Sequence, residues 1–149
     1  MFRGRFEHTI DTKARLSIPS KFREVLQAKE HSRLIITNFL YEQSPCLDVY
    51  PLDEWQLFEQ RIKARPSFDG RMFLFQNYYL GSATECDVDS HGRILVPPPL
   101  RRYANLRKDV VLVGALEKFR IWDKEAYNKI FGEAEGKMQD PNFLNDLGI

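Results

Sequence analysis

Two five-residue stretches carry the residue types best suited to chemistry. They are Asp11-Thr-Lys-Ala-Arg15 and Asp89-Ser-His-Gly-Arg93, 78 positions apart. An Asp at the start of each can accept hydrogen bonds from the turn's own amides. The Arg four positions on can face that carboxylate across the turn mouth while its remaining donors point outward. Such a guanidinium fork suits a phosphate or the edge of a guanine. A charged turn shown twice fits an extended or repeated ligand, and double-stranded DNA is the leading candidate. Asp11 and Asp89 are read as turn-stabilising, and Arg15 and Arg93 as the groups that approach base edges. Arg3, Arg5 and Lys13 are read as phosphate contacts that position the protein. His91 stands where the first copy has Lys13, in a positive or hydrogen-bonding role.

Nothing in the residue pattern points to catalysis. His8, His31 and His91 are the only histidines and form no zinc-type pair. There is no G-x-S-x-G, no P-loop and no Cys–His constellation at informative spacing. No enzyme, cofactor or metal site is therefore expected. Cys46 and Cys86 cannot build a disulfide framework and form no C-x-x-C, so they are read as reduced and buried. The formal charge of +1 conceals an asymmetry. Residues 1–23 hold Arg3, Arg5, Lys13, Arg15, Lys21 and Arg23 against Glu7 and Asp11, whereas residues 132–149 hold four acids against Lys137. The N-terminus has charges where a signal peptide needs an apolar stretch, and no run nears the roughly 20 apolar residues that span a bilayer. A soluble, cytoplasmic chain with no membrane partner is expected.

The elements that hold these turns also repeat. Phe2, Phe6 and Ile10 alternate with Arg3, Arg5, Glu7 and Thr9, the period of a half-buried strand with His8 on its inward side. The turn follows, then a short strand around Leu16 and Ile18 that Pro19 ends, then a short helix. Strands at Leu34–Thr37 and Leu47–Tyr50 lead to a helix expected to be capped by Asp53. Thr84, Cys86 and Val88 restart the series, and Val110–Val113 and Phe119–Asp123 complete it. Arg23 answers Arg101 and Ile10 answers Val88. Four short strands and one helix make a thin core, so the halves are expected to share one barrel-like interior. The expected boundaries are 5–52 and 81–124 for the repeats, 53–80 for linking helices and 125–149 for a helix and acidic tail. Phe68, Met72, Phe75 and Tyr79 form an aromatic stripe at near-helical spacing, which is either core or a subunit interface. The second choice would suit an oligomeric interaction module.

Several of these segments together resemble the MraZ family. They are Met1-Phe-Arg-Gly4, the two Asp-x-x-x-Arg turns, Gly81–Cys86, Pro45–Trp55, Leu112–Gly114 and Lys118–Trp122. The resemblance covers roughly residues 1–130. It implies an α+β fold, a pseudo-two-fold duplicated swapped-hairpin barrel of the AbrB/SpoVT kind with flanking helices. It also implies a bacterial DNA-binding transcriptional regulator of the division and cell-wall gene cluster. Such a regulator would recognise promoter DNA with short direct repeats, form ring-like homo-oligomers and reside in the cytoplasm and nucleoid. The family has glycine before the first arginine, as the second copy does at Gly92, but this chain has Ala14. If the position needs a positive φ, alanine is strained there by roughly 1 kcal/mol. That leaves open whether the two turns share one shape.

Overall fold

The structure is a computed structural model and describes residues 1–29, 33–66 and 68–149. His31 lies outside the described residues. Among the described residues eight strands form: β1 (Arg5–Thr9), β2 (Arg15–Ser17), β3 (Arg33–Tyr41), β4 (Ser44–Pro51), β5 (Thr84–Asp87), β6 (Arg93–Leu95), β7 (Asp109–Ala115) and β8 (Lys118–Asp123). Six join in one antiparallel sheet of order β1-β7-β8-β4-β3-β5, while β2 and β6 pair as a separate ribbon. Exchanging each strand for its counterpart in the other half leaves the sheet order unchanged. The first half's β1 pairs with the second half's β7, and the second half's β5 with the first half's β3.

The fold is α+β, but the expected closed barrel is absent among the described residues. β1 and β5 remain as the two sheet edges. Each edge strand runs into its tight turn, and the strands that leave the turns pair with one another instead of joining β1 to β5.

The ribbon and sheet enclose one apolar core drawn from both halves. Leu16, Ile18 and Phe22 from the first half meet Ile94, Val96 and Leu100 from the second, above Leu34, Leu47, Leu112 and Ile121 of the sheet. Phe22 contacts Phe2, Phe6 and Phe119 at ring-centroid distances of 5.3, 5.2 and 4.9 Å. α1 (Ser20–Ala28) and α4 (Pro98–Tyr103) close this core with Phe22, Leu26 and Leu100. Both helices start directly after a proline, whose fixed φ and missing donor suit a helix entrance.

The opposite sheet face carries a second cluster of Ile35, Tyr50, Trp55 and Tyr79, beneath α2 (Leu52–Lys63) and α3 (Gly70–Phe75). Asp53 does not cap α2. Pro51 stands at the cap, and the Asp53 carboxylate receives a 2.9 Å hydrogen bond from Lys29 Nζ. The stripe expected from Phe68 to Tyr79 divides. Tyr79 is buried and Phe75 packs on it, but Phe68 is 92% exposed. Phe68 precedes Asp69, the cap of α3, and so lies outside the helix that carries Phe75. A π-helical turn follows at Gln76–Leu80. A Cβ at Gly81 would stand 2.3 Å from Asn77 O, so only glycine ends that turn without a clash. α5 (Lys124–Met138) and α6 (Pro141–Asp146) complete the chain.

At the middle of this second face lies a polar network. Asp48 and Arg120 occupy the same place in the two repeats and face one another across β4 and β8. Arg120 Nε donates to Asp48 Oδ1 at 2.8 Å, and the Tyr79 hydroxyl donates to Oδ2. Asp48 is 1% exposed. Burial pushes its carboxyl above the ordinary carboxylate value, against the pull of Arg120 and Tyr79.

Candidate nucleic-acid interface

The two Asp-x-x-x-Arg turns are built alike. In the first, Asp11 Oδ1 accepts from the Lys13 amide at 2.8 Å and the Arg15 amide at 3.0 Å. In the second, Asp89 Oδ1 accepts from His91 and Arg93 amides, both at 2.9 Å. Each arginine returns Nε to the other carboxylate oxygen, Arg15 at 2.7 Å and Arg93 at 3.1 Å. The backbone closes identically, Asp11 N–H to Arg15 O and Ala14 N–H to Asp11 O matching Asp89 to Arg93 and Gly92 to Asp89. Ala14 adopts φ 63° and Gly92 φ 74°, so the alanine does take the left-handed conformation and the turns share one shape.

These bonds leave the acids ionised. The Arg15 amide, then the Arg15 guanidinium and the Lys13 amide, hold Asp11 at about 2 despite some desolvation. The Arg93 amide leads the same lowering of Asp89. Nε is spent on the clamp, while the two terminal nitrogens of each guanidinium stay available. The Arg15 and Arg93 side chains are 35% and 28% exposed, so neither is sunk in the core.

Strand pairing sets both arginines on one surface. β2 and β6 run antiparallel with Arg15 opposite Leu95, Leu16 opposite Ile94 and Ser17 opposite Arg93. Leu16 and Ile94 are buried, so alternation turns Arg15, Ser17, Arg93 and Leu95 to the outer face. The arginines sit diagonally, their Cα atoms roughly 8 Å apart by strand geometry. Each turn is also stitched to the other half. Ile18 N–H donates to Gly92 O at 2.8 Å and Val96 N–H to Ala14 O at 3.0 Å. Neither half can complete the surroundings of its own turn alone.

Other residues expected at the site are scattered. Lys13 and His91 are exposed on the two turns, with His91 Nδ1 3.4 Å from Ser90 Oγ. Arg3 and Arg5 are exposed on the chain leading through β1, but Arg5 is six residues from Asp11, roughly 20 Å along an extended strand. The Arg5 guanidinium sits 4.2 Å from the Phe131 ring centre, and its Nη1 donates to Tyr127 OH at 3.5 Å, both on α5. The structure therefore groups Arg15, Arg93, Lys13 and His91 about the ribbon and leaves Arg3 and Arg5 away from the first turn. His8, half-buried as its strand phase predicts, has Nδ1 2.7 Å from Ser17 O. Arg23 of α1 packs against the second turn, its Cδ 2.6 Å from where a Cβ on Gly92 would stand.

Cys46 and Cys86 are free and buried. Among the described residues no group of three or more His, Cys, Asp or Glu could hold a metal ion, and no helix is long and apolar enough to cross a membrane.

A duplicated arginine turn on a solvent-facing ribbon is a surface suited to binding. Comparison with known proteins makes this specific. The family model described as "MraZ protein, putative antitoxin-like" matches residues 1–77 and 79–142. A protein of Shewanella sediminis (strain HAW-EB3) is 41% identical over 146 residues, covering 98% of this chain and 95% of its own length. Proteins of Pseudomonas fluorescens (strain Pf0-1) and Pseudomonas putida (strain GB-1) are 40% identical over the same shares. All three are named transcriptional regulator MraZ. The chain belongs to the MraZ family, a family of transcription regulators and not of enzymes.

Proposed function

We propose that this protein regulates transcription by binding double-stranded DNA through the outer face of the β2–β6 ribbon. One observation carries the reading: two identically clamped turns put Arg15 and Arg93 side by side on that face. A two-stranded ribbon fits the major groove, where an arginine fork can address guanine O6 and N7. Lys13 and His91 on the turns contact flanking phosphates, and Asp11 and Asp89 hold the arginines in place. Arg3 and Arg5 serve as outlying phosphate contacts, Arg5 once released from α5.

The resemblance to MraZ proteins extends the proposal to the promoter of the division and cell-wall gene cluster, with short direct repeats as the target and the cytoplasm and nucleoid as the location. The exchange of edge strands between the halves supports a duplicated swapped-hairpin unit of the AbrB/SpoVT kind. Ring-like self-association would set several ribbons along successive repeats and multiply individually weak contacts. The exposed apolar side chains Leu57, Phe68, Phe73 and Leu74 on and beside α2 and α3 support such assembly.

The test is a gel shift on the double-stranded DNA just upstream of the gene for this chain. Each good bidentate base contact is worth about 1–3 kcal/mol. Arg15→Ala and Arg93→Ala should therefore each weaken binding by roughly 5- to 150-fold without loss of folding. If the parent binds and both variants bind as well as it does, the ribbon does not read DNA.

A further inference from the structure

The repeat places an arginine behind each turn, Arg23 in α1 and Arg101 in α4. The two side chains do different things. Arg101 Nε donates to Leu106 O at 3.1 Å, and Nη2 donates to Arg107 O at 3.5 Å, so it is committed to carbonyls after its own helix. Arg23 crosses to the other half and lies over the second turn. A Cβ built on Gly92 would stand 2.6 Å from Arg23 Cδ, 2.8 Å from Nη1 and 3.1 Å from Nε. Arg23 Nε is buried and has no hydrogen-bond partner among the described residues.

A buried donor left unpaired is costly and calls for an acceptor. Asp89, the carboxylate lining the same side, does not supply one; its oxygens accept from the His91 and Arg93 amides and from Arg93 Nε. Between α1 and the turn lies a cleft of about 180 Å³, lined by Arg23, Gln27, Asp89, Ser90 and Gly92 among others. It offers the Arg23 guanidinium, a serine hydroxyl and a side-chain amide, which are donors for a tetrahedral oxyanion. Because Asp89 is already paired with Arg93, the net charge facing the cleft is positive.

We infer that a backbone phosphate of bound DNA sits in this cleft on Arg23. The second turn then holds a phosphate from behind, a contact the first turn lacks because Arg101 is committed to its own half. Turn two is anchored by Arg23 and Arg93 together, whereas turn one has Arg15 with Lys13 exposed beside it. This rests on the DNA reading of the ribbon. It also explains why glycine is kept at 92 when alanine is accepted at 14: a methyl group at 92 would push the guanidinium out of the cleft.

Salt dependence tests it, because the slope of log affinity against log salt changes by about 0.9 for each phosphate contact. Arg23→Gln, Arg23→Lys, Gly92→Ala and Arg101→Gln are titrated with the same upstream DNA over a salt series, each first checked by thermal melting. Arg23→Gln should make the slope shallower by about one contact, Arg23→Lys should keep it and Arg101→Gln should leave it alone. Gly92→Ala should copy Arg23→Gln, and the double variant should be no worse than either alone. Should Arg23→Gln not fold, Gly92→Ala reads the same contact with the arginine intact. An unchanged slope in both, with Arg15→Ala losing binding, overturns the phosphate seat and leaves the ribbon standing. If Arg15→Ala and Arg93→Ala bind like the parent, the reading of the ribbon fails and this inference with it.

Discussion

The first turn holds Ala14 at φ 63° and the second holds Gly92 at φ 74°, with matching hydrogen bonds around each. Behind the second, a methyl group would have to displace the Arg23 side chain. Behind the first, the corresponding Arg101 is drawn away to Leu106 and Arg107. The aspartate clamp fixes the turn whatever the residue before the arginine. What lies behind the turn decides which residue can stand there. The same divergence appears at the middle of the sheet, where one repeat position became Asp48 and its equivalent Arg120. Two identical halves would set like charges face to face at that point. The unlike pair favours joining a first half to a second half.

The comparison breaks most severely at that pair. Arg120→Ala leaves the buried Asp48 unpartnered and should cost about 3–5 kcal/mol in urea denaturation, whereas Asp48→Ala leaves a guanidinium that is 31% exposed and should cost less. Asp48→Arg with Arg120→Asp should recover part of that loss, and recovery of none would assign the effect to the surrounding tyrosines instead. Next come the turns themselves. Ala14→Gly should gain about 0.5 kcal/mol or more by relieving the left-handed alanine, net of the glycine's greater unfolded freedom. Gly92→Ala should cost about 1–2 kcal/mol from that conformation alone, before the clash with Arg23. Equal and opposite changes would mean that Arg23 adds nothing.

A subtler distinction comes from acid titration. Both turn aspartates have folded-state values below the ordinary carboxylate value, so the clamps contribute stability above about pH 4. That contribution is lost as the pH falls, for Asp11 through about 2. Carboxyl carbon shifts followed by NMR should show Asp11 still ionised at pH 3, and a midpoint near 4 would mean that the clamp is open in solution. The smallest effect concerns the thiols. Burial pushes Cys46 and Cys86 upward, so both should alkylate slowly in the native protein and rapidly in urea. Fast native labelling would show that the core opens.

Much of this was legible in the chain. The period-two run through Phe2, Phe6 and Ile10, the prolines ahead of α1 and α4, and the Asp–Arg spacing all act over a few residues, where sequence determines geometry. The expected barrel failed for a long-range reason: whether β1 meets β5 depends on strands far apart in the chain. The aromatic stripe divided locally, because Asp69 caps α3 and leaves Phe68 outside the helix. Arg5 read as a free phosphate contact until α5, more than a hundred residues later, laid Phe131 against it.

By itself, then, the sequence determined that a unit is duplicated, that each copy bears an aspartate-clamped arginine, and that the strands alternate about one apolar core. Only the tertiary structure decided that β2 and β6 pair across the halves and face both arginines outward. It alone turned Arg23 toward Gly92 while drawing Arg101 away. Local hydrogen bonds and side-chain periodicity are encoded between near neighbours, whereas which surfaces meet is decided by burying apolar area from the whole chain at once.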